Sequence, residues 1–269
     1  MKLTVIGDGY IGLITAACFA EMGNEVSCVG RDEARIAALD RYRLPLYEPG
    51  LEDLIRRNCQ GNRLFFSTDL TRAVEYSLIC YLTLNPEGLE VTPAELAEFL
   101  EVAAQVGRSL NGYKIIVNKA AWPIGTMARL REVIAAEIAA RGEDFEFDLA
   151  VDPEFVKQGT AVEDFMRPER IVIGCDNVRV AEILKELYAP FLRTNRPVIV
   201  MDLVSAELIK YAANAFLATK ISFINEMARL CAGVGADIDA IRRGLGSDPR
   251  IGPLFLFPGL GYGGVRFSQ

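Results

Sequence analysis

The sequence predicts an α/β fold, a Rossmann-type doubly wound parallel sheet followed by a long central helix and a small helical dimerisation domain. Strand-like and helix-like patterns alternate over the first 195 or so residues, which is typical of a mostly parallel sheet with helices on both faces. A glycine fingerprint opens the first helix, and an Ala-rich apolar stretch of helical pattern covers Ser205–Val234. We therefore place a dinucleotide-binding domain at residues 1–200 and a helical domain with a C-terminal glycine loop at residues 201–269.

Each element is predicted from its own pattern. Short apolar runs predict strands at Leu3–Ile6, Glu25–Val29, Leu64–Ser67, Ser77–Leu82, Lys114–Asn118, Leu149–Asp152, Ile171–Gly174 and Pro197–Met201. Helical patterns lie between them at Gly12–Met22, Asp32–Asp40, Leu51–Asn58, Pro93–Leu110, Met127–Arg141 and Val178–Leu192. Ser205 fits the N-cap of the long helix, whose apolar positions cover several sides and indicate a central or interface position. A short helix is predicted over Asp237–Leu245.

Composition narrows the classes of partner. The 269 residues carry a net charge of −7, and 51% of them are hydrophobic. Duplex nucleic acid and anionic membranes are disfavoured as partners, because both attract basic faces. No stretch reaches the ~18 uncharged apolar residues of a membrane span, and the N-terminus runs directly into a strand pattern without signal-peptide features. We therefore expect a cytoplasmic protein that acts on a small-molecule substrate.

The side chains available for chemistry are restricted. The chain contains no histidine, which excludes a Ser-His-Asp triad, histidine-ligated metals and a histidine base. Its six cysteines are far apart and form no C-x-x-C pair, so we expect no metal site. Any reaction must therefore use Lys, Glu, Asp, Tyr or Cys side chains.

The glycine fingerprint is Gly7-Asp8-Gly9-Tyr10-Ile11-Gly12, between the first strand and the first helix. The first glycine makes the turn, the second lets the backbone approach a pyrophosphate, and the third permits close packing of helix and strand. The helix N-terminus then faces the phosphate charge. The alternative is a tight strand-to-helix turn that binds nothing. Asp8 is unusual, since an acid beside a phosphate site is unfavourable unless it points to solvent.

The end of the second strand bears on the choice of cofactor. NAD enzymes normally carry an acid there, about 20 residues past the glycines, for the ribose hydroxyls. This chain has Gly30 at that position and Arg31 next to it. Loss of the acid removes repulsion toward a 2′-phosphate, which Arg31 can bind, so the sequence favours NADP over NAD. Alternatively, Arg31 is a solvated side chain and Asp32 binds the ribose.

Motifs along the whole chain match one family in the same order. They are Val5-Ile6-Gly7-x-Gly9-Tyr10-Ile11-Gly12, Leu46-Tyr47-Glu48-Pro49-Gly50-Leu51, Asp152-Pro153-Glu154-Phe155, Lys210-Tyr211-Ala212-Ala213-Asn214 and Asp248-Pro249-Arg250-Ile251-Gly252-Pro253. On these residues, and on the final glycine loop, the chain resembles the UDP-glucose/GDP-mannose dehydrogenase family. The resemblance implies NAD-dependent oxidation of a primary alcohol of a sugar nucleotide, carried out twice through a thiohemiacetal and a thioester.

The chain departs from the family pattern at several positions. The family's nucleophilic cysteine follows the glycine loop, where this chain has Arg266. The family's ribose acid is Gly30 here, and its G-T-P-P segment reads Thr83-Leu84-Asn85-Pro86. Ala121 replaces the threonine that in the family positions a catalytic water. The resemblance also implies a truncated member, because the family's C-terminal domain, which holds much of the UDP, has no counterpart in the sequence.

The resemblance assigns candidate site residues. Glu154 matches the family's acid/base glutamate, and Lys210 and Asn214 match the pair that stabilises the developing alkoxide. The i, i+4 spacing of that pair places an ammonium and an amide on one helix face, where both can act on one oxygen. The remaining assignments are Gly7, Gly9, Tyr10, Ile11, Gly12, Arg31, Thr83 and Ala121 for the cofactor, and Phe155, Arg250, Tyr262, Gly263 and Arg266 for the substrate. Alternatively, Lys210 is a solvated helix lysine and Arg266 belongs to a frayed tail.

The leading hypothesis is an NAD(P)-dependent oxidoreductase that performs one two-electron hydride transfer on an alcohol or carbonyl substrate, such as a sugar nucleotide. A single transfer is favoured because the thioester route needs a thiolate. Arg250 matches a family arginine that reaches across a dimer, and together with the apolar long helix it predicts a homodimer. Two alternatives stay open: a cofactor-binding non-redox enzyme of the cyclase or dehydratase type, and a catalytically inactive UDP-glucose dehydrogenase-like protein.

Overall fold

The computed structural model describes residues 1–86, 88, 90–192 and 196–263. These residues contain one sheet of eight strands: β1 Lys2–Ile6, β2 Glu25–Val29, β3 Leu64–Ser67, β4 Ile79–Leu82, β5 Lys114–Asn118, β6 Phe147–Val151, β7 Ile171–Cys175 and β8 Val198–Met201. The strand order is β3-β2-β1-β4-β5-β6-β7-β8. Strands β1 to β6 run parallel, whereas β7 pairs antiparallel with β6 and parallel with β8. The predicted α/β fold with a mostly parallel sheet is confirmed.

Helices connect the strands. In the described part of the chain they are α1 Tyr10–Glu21, α2 Glu33–Leu39, α3 Leu51–Gln60, α4 Leu70–Tyr76, α5 Pro93–Ser109, α6 Thr126–Ala140, α7 Ala161–Met166, α8 Val178–Tyr188, α9 Leu203–Val234 and α10 Ile238–Gly246. Helices α4 and α7, of seven and six residues, were not predicted, although α2, which also has seven residues, was. Stretches of this length span at most two helical turns, so their apolar pattern discriminates poorly between helix and loop.

The long helix begins earlier than its predicted cap. Helix α9 starts at Leu203, so the prediction of Ser205 as N-cap is wrong. Asp202 accepts hydrogen bonds from the backbone N–H and the hydroxyl of Ser205, at 2.8 and 2.6 Å. A carboxylate in this position satisfies the unpaired N–H groups of the first turn as well as a serine would.

Strand side chains, helix α1 and residues of α3 and α8 form the core, and all residues of α1 from Ile11 to Ala20 are buried. The Phe19 ring lies 5.1 Å from the Tyr81 ring and 5.4 Å from the Tyr188 ring, measured between centroids. Phe165 and Phe191 meet Phe19 edge-on at 5.3 and 5.9 Å. Full burial of each large apolar side chain contributes about 1.5–3 kcal/mol, so this aromatic cluster anchors α1 against the sheet.

The chain divides into two compact units. The first holds the described residues up to Leu208, apart from residues 88 and 90, and the second holds residues 88, 90 and 209–263. The predicted domain boundary at residue 200 stays a prediction. Among the described helices, none combines the length and apolar character that crossing a membrane requires.

Candidate functional site

The turn between β1 and α1 is built for glycine. Gly7 has a φ of +119°, and a Cβ there would lie 2.7 Å from Oγ1 of Thr83. A Cβ at Gly12 would lie 1.8 Å from the carbonyl oxygen of Gly7. The buried Thr83 hydroxyl donates to the carbonyls of Ile6 and Gly7, at 3.0 and 3.3 Å. Thr83, a predicted cofactor residue, therefore fixes the turn itself.

Gly9 differs from these two glycines because the space beside it is open. It is the N-cap of α1, with a φ of −75°, and a Cβ there would meet nothing within 4 Å. Among the described residues, no side chain caps the helix at this point. The first N–H groups of α1 therefore face an open edge, where a helix N-terminus attracts an anion. Ile11 is buried in the core behind them. This cradle fits a pyrophosphate.

Tyr10 links the glycine turn to a distant loop through Glu48. The Tyr10 hydroxyl donates to Glu48 Oε2 at 2.6 Å. The buried Glu48 also accepts from the backbone N–H of Gly159 at 2.9 Å and that of Ala161 at 2.7 Å. Burial raises the pKa of Glu48, but the hydrogen bonds from Tyr10, Gly159 and Ala161 outweigh it and bring the pKa below its usual value.

The Asp8 side chain does not point to solvent, which is the orientation in which it would not disfavour a bound phosphate. Its side chain is 18% exposed, and its Oδ2 lies 3.0 Å from Arg35 Nε. Arg35 also donates through Nη2 to the Asp8 carbonyl at 2.8 Å. The carboxylate covers Gly30, since a Cβ at Gly30 would lie 2.7 Å from the Asp8 carboxyl carbon. A neighbouring cation thus compensates the acid in the turn.

The two charged residues after Gly30 already have partners. Arg31 Nη1 lies 2.5 Å from Glu98 Oε1 in an exposed ion pair. Asp32 caps α2, because its Oδ1 accepts from the backbone N–H of Ala34 and Arg35. Neither side chain is therefore held ready for a ribose or a phosphate.

Glu154 lies at the carboxyl end of β6 in a buried polar cluster. Its Oε1 accepts from the backbone N–H of Val156 at 2.6 Å, while its buried Oε2 has no hydrogen-bond partner among the described residues. The nearest cation is Lys119, whose Nζ lies 3.6 Å from Oε2 and 3.0 Å from Asp152 Oδ2. Lys119 also donates to the Tyr188 hydroxyl at 3.3 Å, and that hydroxyl donates to Asp152. Oε2 of Glu154, which accepts no hydrogen bond among the described residues, can accept a proton or a hydrogen bond from a ligand hydroxyl.

The two carboxylates of this cluster keep Lys119 in its charged form. Burial lowers the pKa of Lys119, but the carboxylates of Asp152 and Glu154 outweigh it, and the net pKa is raised. Lys119 therefore stays a cation, which holds a fixed positive charge beside Glu154.

Two further predicted residues flank the cluster. The Phe155 ring receives the Arg170 guanidinium at 4.2 Å from its centroid, a cation–π contact. The backbone N–H of Ala121 donates to Asn85 Oδ1 at 3.3 Å. Ala121 therefore contributes its backbone to the loops at this edge, but its methyl group offers no hydroxyl.

The remaining predicted residues belong to the second unit or lie outside the described residues. Lys210 and Asn214 are half-buried, one turn apart on α9. Arg250 is exposed and pairs with Asp248 at 2.6 Å, which raises its pKa. Tyr262 and Gly263 are exposed at the end of the described chain, and Arg266 lies beyond it.

Five of the six cysteines are poor nucleophiles in this structure. Burial raises the pKa of Cys59 and of Cys80 to about 11. Burial also raises the pKa of Cys18, Cys28 and Cys175 above its ordinary value. A thiol with such a pKa holds little thiolate at neutral pH.

The sequence analysis missed four residues of this arrangement: Glu48, Lys119, Asp152 and Tyr188. The motifs that contain Glu48 and Asp152 indicated the family resemblance but assigned no role to these two residues. A usable signal was the placement of Lys119 and Asp152 immediately after neighbouring parallel strands, since the carboxyl ends of such strands meet at one edge.

Comparison with known proteins covers the whole chain. Residues 1–192 match the NAD binding domain of the UDP-glucose/GDP-mannose dehydrogenase family, and residues 204–269 match the central domain of that family. The chain is 49% identical to the UDP-glucose 6-dehydrogenase of Pseudomonas aeruginosa over 269 residues, which are 100% of this chain and 59% of that protein. It is 44% identical to UDP-glucose 6-dehydrogenase TuaD of Bacillus subtilis, covering 100% of this chain and 57% of that protein. The chain thus spans less than two thirds of these relatives.

Solved structures give the same result. The UDP-glucose dehydrogenase of Pyrobaculum islandicum superimposes with a TM-score of 0.87 at 33% identity, over 98% of this chain and 61% of that one. A ternary complex of GDP-mannose dehydrogenase from Pseudomonas aeruginosa gives a TM-score of 0.82 at 26% identity, over 98% and 61% of the two chains.

Proposed function

Because the chain belongs to the UDP-glucose/GDP-mannose dehydrogenase family, we propose that it binds NAD and transfers one hydride between the nicotinamide and a hydroxyl-bearing carbon of a sugar nucleotide. The observation that carries the proposal is the cradle at Gly9. Open space beside Gly9 meets the N-terminus of α1, which has no side-chain cap among the described residues. This arrangement suits a pyrophosphate and lies at the carboxyl edge of a parallel sheet.

The bound cofactor would supply the hydride acceptor, and residues of this chain would handle the proton. Oxidation of the alcohol releases a hydride from carbon and a proton from oxygen, and it leaves a carbonyl group. Glu154 is the proposed base, because its Oε2 accepts no hydrogen bond among the described residues and can take up that proton. Lys210 and Asn214, one turn apart on α9, are proposed to stabilise the developing alkoxide.

A single oxidation is proposed because the second one lacks a nucleophile. The family's thioester route requires a thiolate after the glycine loop, and this chain has Arg266 there. The high pKa values of Cys59 and Cys80 leave those thiols protonated. The product would then be an aldehyde or, in the reverse direction, an alcohol.

NAD is proposed as the cofactor in place of the NADP that the sequence favoured. That preference depended on a free Arg31, and the Arg31 guanidinium is paired with Glu98 at 2.5 Å. An arginine that has to break an ion pair binds a 2′-phosphate less well than a free one.

A homodimer and a cytoplasmic location are the remaining parts of the proposal. Phe216, Phe223 and Leu230 recur every seven residues along α9 and are 66%, 47% and 57% exposed. Apolar residues at this spacing form a stripe that suits a second helix, which supports a dimer formed through α9. Six free cysteines fit a reducing compartment.

The test counts NADH per molecule of substrate. The protein is incubated with NAD and with UDP-glucose or GDP-mannose in turn, and both NADH and the sugar product are quantified, with Lys210→Ala as the inactive control. We expect one NADH per substrate and an aldehyde that hydroxylamine traps. Two NADH with a uronic acid product would refute the single transfer. Bound NAD without net NADH would favour a cyclase or dehydratase, and no bound NAD would favour an inactive relative.

A further inference from the structure

The carboxylate of Asp8 takes the place of the ribose-binding acid that strand β2 lacks. Proteins of this fold that bind NAD hold the ribose hydroxyls with an acid at the end of the second strand. Gly30 occupies that position and has no side chain. We propose that Asp8, from the neighbouring glycine turn, supplies the acid and thereby selects NAD over NADP. The proposal rests on the dinucleotide binding proposed above.

The Asp8 side chain lies where an acidic side chain at position 30 would lie. A Cβ at Gly30 would lie 2.7 Å from both Cγ and Oδ2 of Asp8, closer than real Cβ atoms approach. The Asp8 carboxylate therefore fills the volume that an aspartate at position 30 would enter. An aspartate at position 30 would have to displace the Asp8 carboxylate, and its Cβ would also lie 2.9 Å from Cδ1 of Ile36. We therefore expect the acid to come from residue 8 or from residue 30, but not from both.

Arg35 holds the Asp8 carboxylate in this place. The guanidinium contacts Asp8 twice, through an ion pair at 3.0 Å and a hydrogen bond to its backbone carbonyl at 2.8 Å. Asp8 Oδ2 is buried in this contact and has no directed hydrogen bond among the described residues. The 18% of the Asp8 side chain that is exposed must therefore belong to its other atoms, which a ribose can reach.

The same arrangement disfavours a 2′-phosphate. The Asp8–Arg35 ion pair offers a phosphate dianion no net positive charge, whereas the carboxylate can accept hydrogen bonds from free ribose hydroxyls. Arg35 is the nearest cation that could reverse this preference, and it is neutralised by Asp8. Removal of the carboxylate therefore has two effects that act together. It weakens NAD binding and releases a guanidinium for NADP.

The experiment measures binding directly. Dissociation constants for NAD and NADP are determined by calorimetry for the wild type, Asp8→Ala, Gly30→Asp and the double variant Asp8→Ala/Gly30→Asp. Arg31→Ala serves as the control in the same strand end, and thermal melting of each sample reports folding. We expect the wild type to prefer NAD at least tenfold, and Asp8→Ala to lose about tenfold to hundredfold of that preference, the range for hydrogen bonds to a charged group.

The double variant tests whether an acid at position 30 can replace the one at position 8. Gly30→Asp alone should lower the melting temperature. The double variant should regain the preference for NAD and part of the stability, since the contact with Cδ1 of Ile36 remains. The Arg31→Ala control should leave the preference unchanged. A wild type that prefers NADP would overturn the assignment of Asp8. So would an Asp8→Ala variant that keeps the wild-type ratio of the two dissociation constants, whatever its melting temperature; neither result would affect the proposed function. Failure of the folded wild type to bind either dinucleotide would overturn the proposed function as well.

Discussion

Lys119 and Asp152 form a buried ion pair, with Nζ 3.0 Å from Oδ2 and side chains that are only 5% and 3% exposed. They follow β5 and β6, two neighbouring parallel strands, and the Tyr188 hydroxyl completes the group. Desolvation of two charges is costly, so such a pair adds little net stability while intact. Loss of one partner is nevertheless strongly destabilising, because the other partner would remain as an uncompensated buried charge.

Lys119→Met is expected to destabilise the fold strongly. The substitution leaves two buried carboxylates, Asp152 and Glu154, without their cation, and breaking a buried pair costs about 3–5 kcal/mol. Urea unfolding followed by circular dichroism measures the change. Glu182→Gln, which breaks the exposed pair with Lys185 at 2.7 Å, is the matched control and should cost under about 1 kcal/mol. Equal losses for the two variants would contradict the importance of burial.

Glu48→Gln is expected to loosen the connection between the glycine turn and the loop at residues 159–161. Gly159 and Ala161 donate to different oxygens of Glu48, so the NH2 group of a glutamine opposes one of these two N–H groups while the remaining oxygen still accepts from the other. A loss of about 1–3 kcal/mol of unfolding free energy follows from the unsatisfied buried groups. Tyr10→Phe removes one hydrogen bond only and should cost about 0.5–1.5 kcal/mol.

The same carboxylate gives the wild type a pH dependence. The folded-state pKa of Glu48 lies below its unfolded value, so its contribution is present above the unfolded pKa of about 4.3 and is lost as the pH falls through the folded pKa. Unfolding free energies measured between neutral and acid pH should therefore decline less steeply in Glu48→Gln than in the wild type. An unchanged slope would show that the Glu48 pKa is not lowered by folding.

Alanine substitution of two glycines in the same turn should affect different properties, stability in one case and NAD binding in the other. A Cβ at Gly12 would lie 1.8 Å from the Gly7 carbonyl oxygen, so Gly12→Ala should lower the melting temperature substantially. A Cβ at Gly9 would enter open space, so Gly9→Ala should keep the melting temperature but weaken NAD binding by obstructing the pyrophosphate. Calorimetric NAD titration and thermal melting separate the two effects. Undiminished NAD binding by Gly9→Ala would place the dinucleotide elsewhere.

The apolar stripe on α9 predicts the oligomeric state. Phe216→Asp together with Phe223→Asp should convert a dimer to a monomer, because charges cannot be buried unpaired in a helix interface. Light scattering during size-exclusion chromatography gives the mass. Val178→Asp replaces a 78% exposed apolar residue on α8 and should leave the mass unchanged. A wild type that is monomeric at every concentration would rule out the dimer.

The sequence allowed prediction of all eight strands, because each central strand is a continuous apolar run. Of the short helices α2, α4 and α7, only α2 was predicted, since six or seven residues carry little periodicity. The glycine turn was predicted from spacing alone, but the contact of Asp8 with Arg35 was not, because it depends on how α2 is placed beside the turn. The roles of Glu48 and Tyr188 depend on long-range packing across 111 and 36 residues, which no local pattern encodes.

The reversal of β7 gives the sheet two chemically different edges. On the side of the sheet where Glu154 lies, the chain leaves strands β1 to β6 but enters β7 and β8, and the entry into β7 brings Arg170 onto the Phe155 ring. Arg170 therefore precedes a strand, whereas Lys119 and Glu154 at the same site follow strands. The segment after β7, at Asp176 and Asn177, emerges on the opposite side of the sheet. A fluorescent label at Asp176 would therefore report on unfolding of the first unit without entering the cofactor edge.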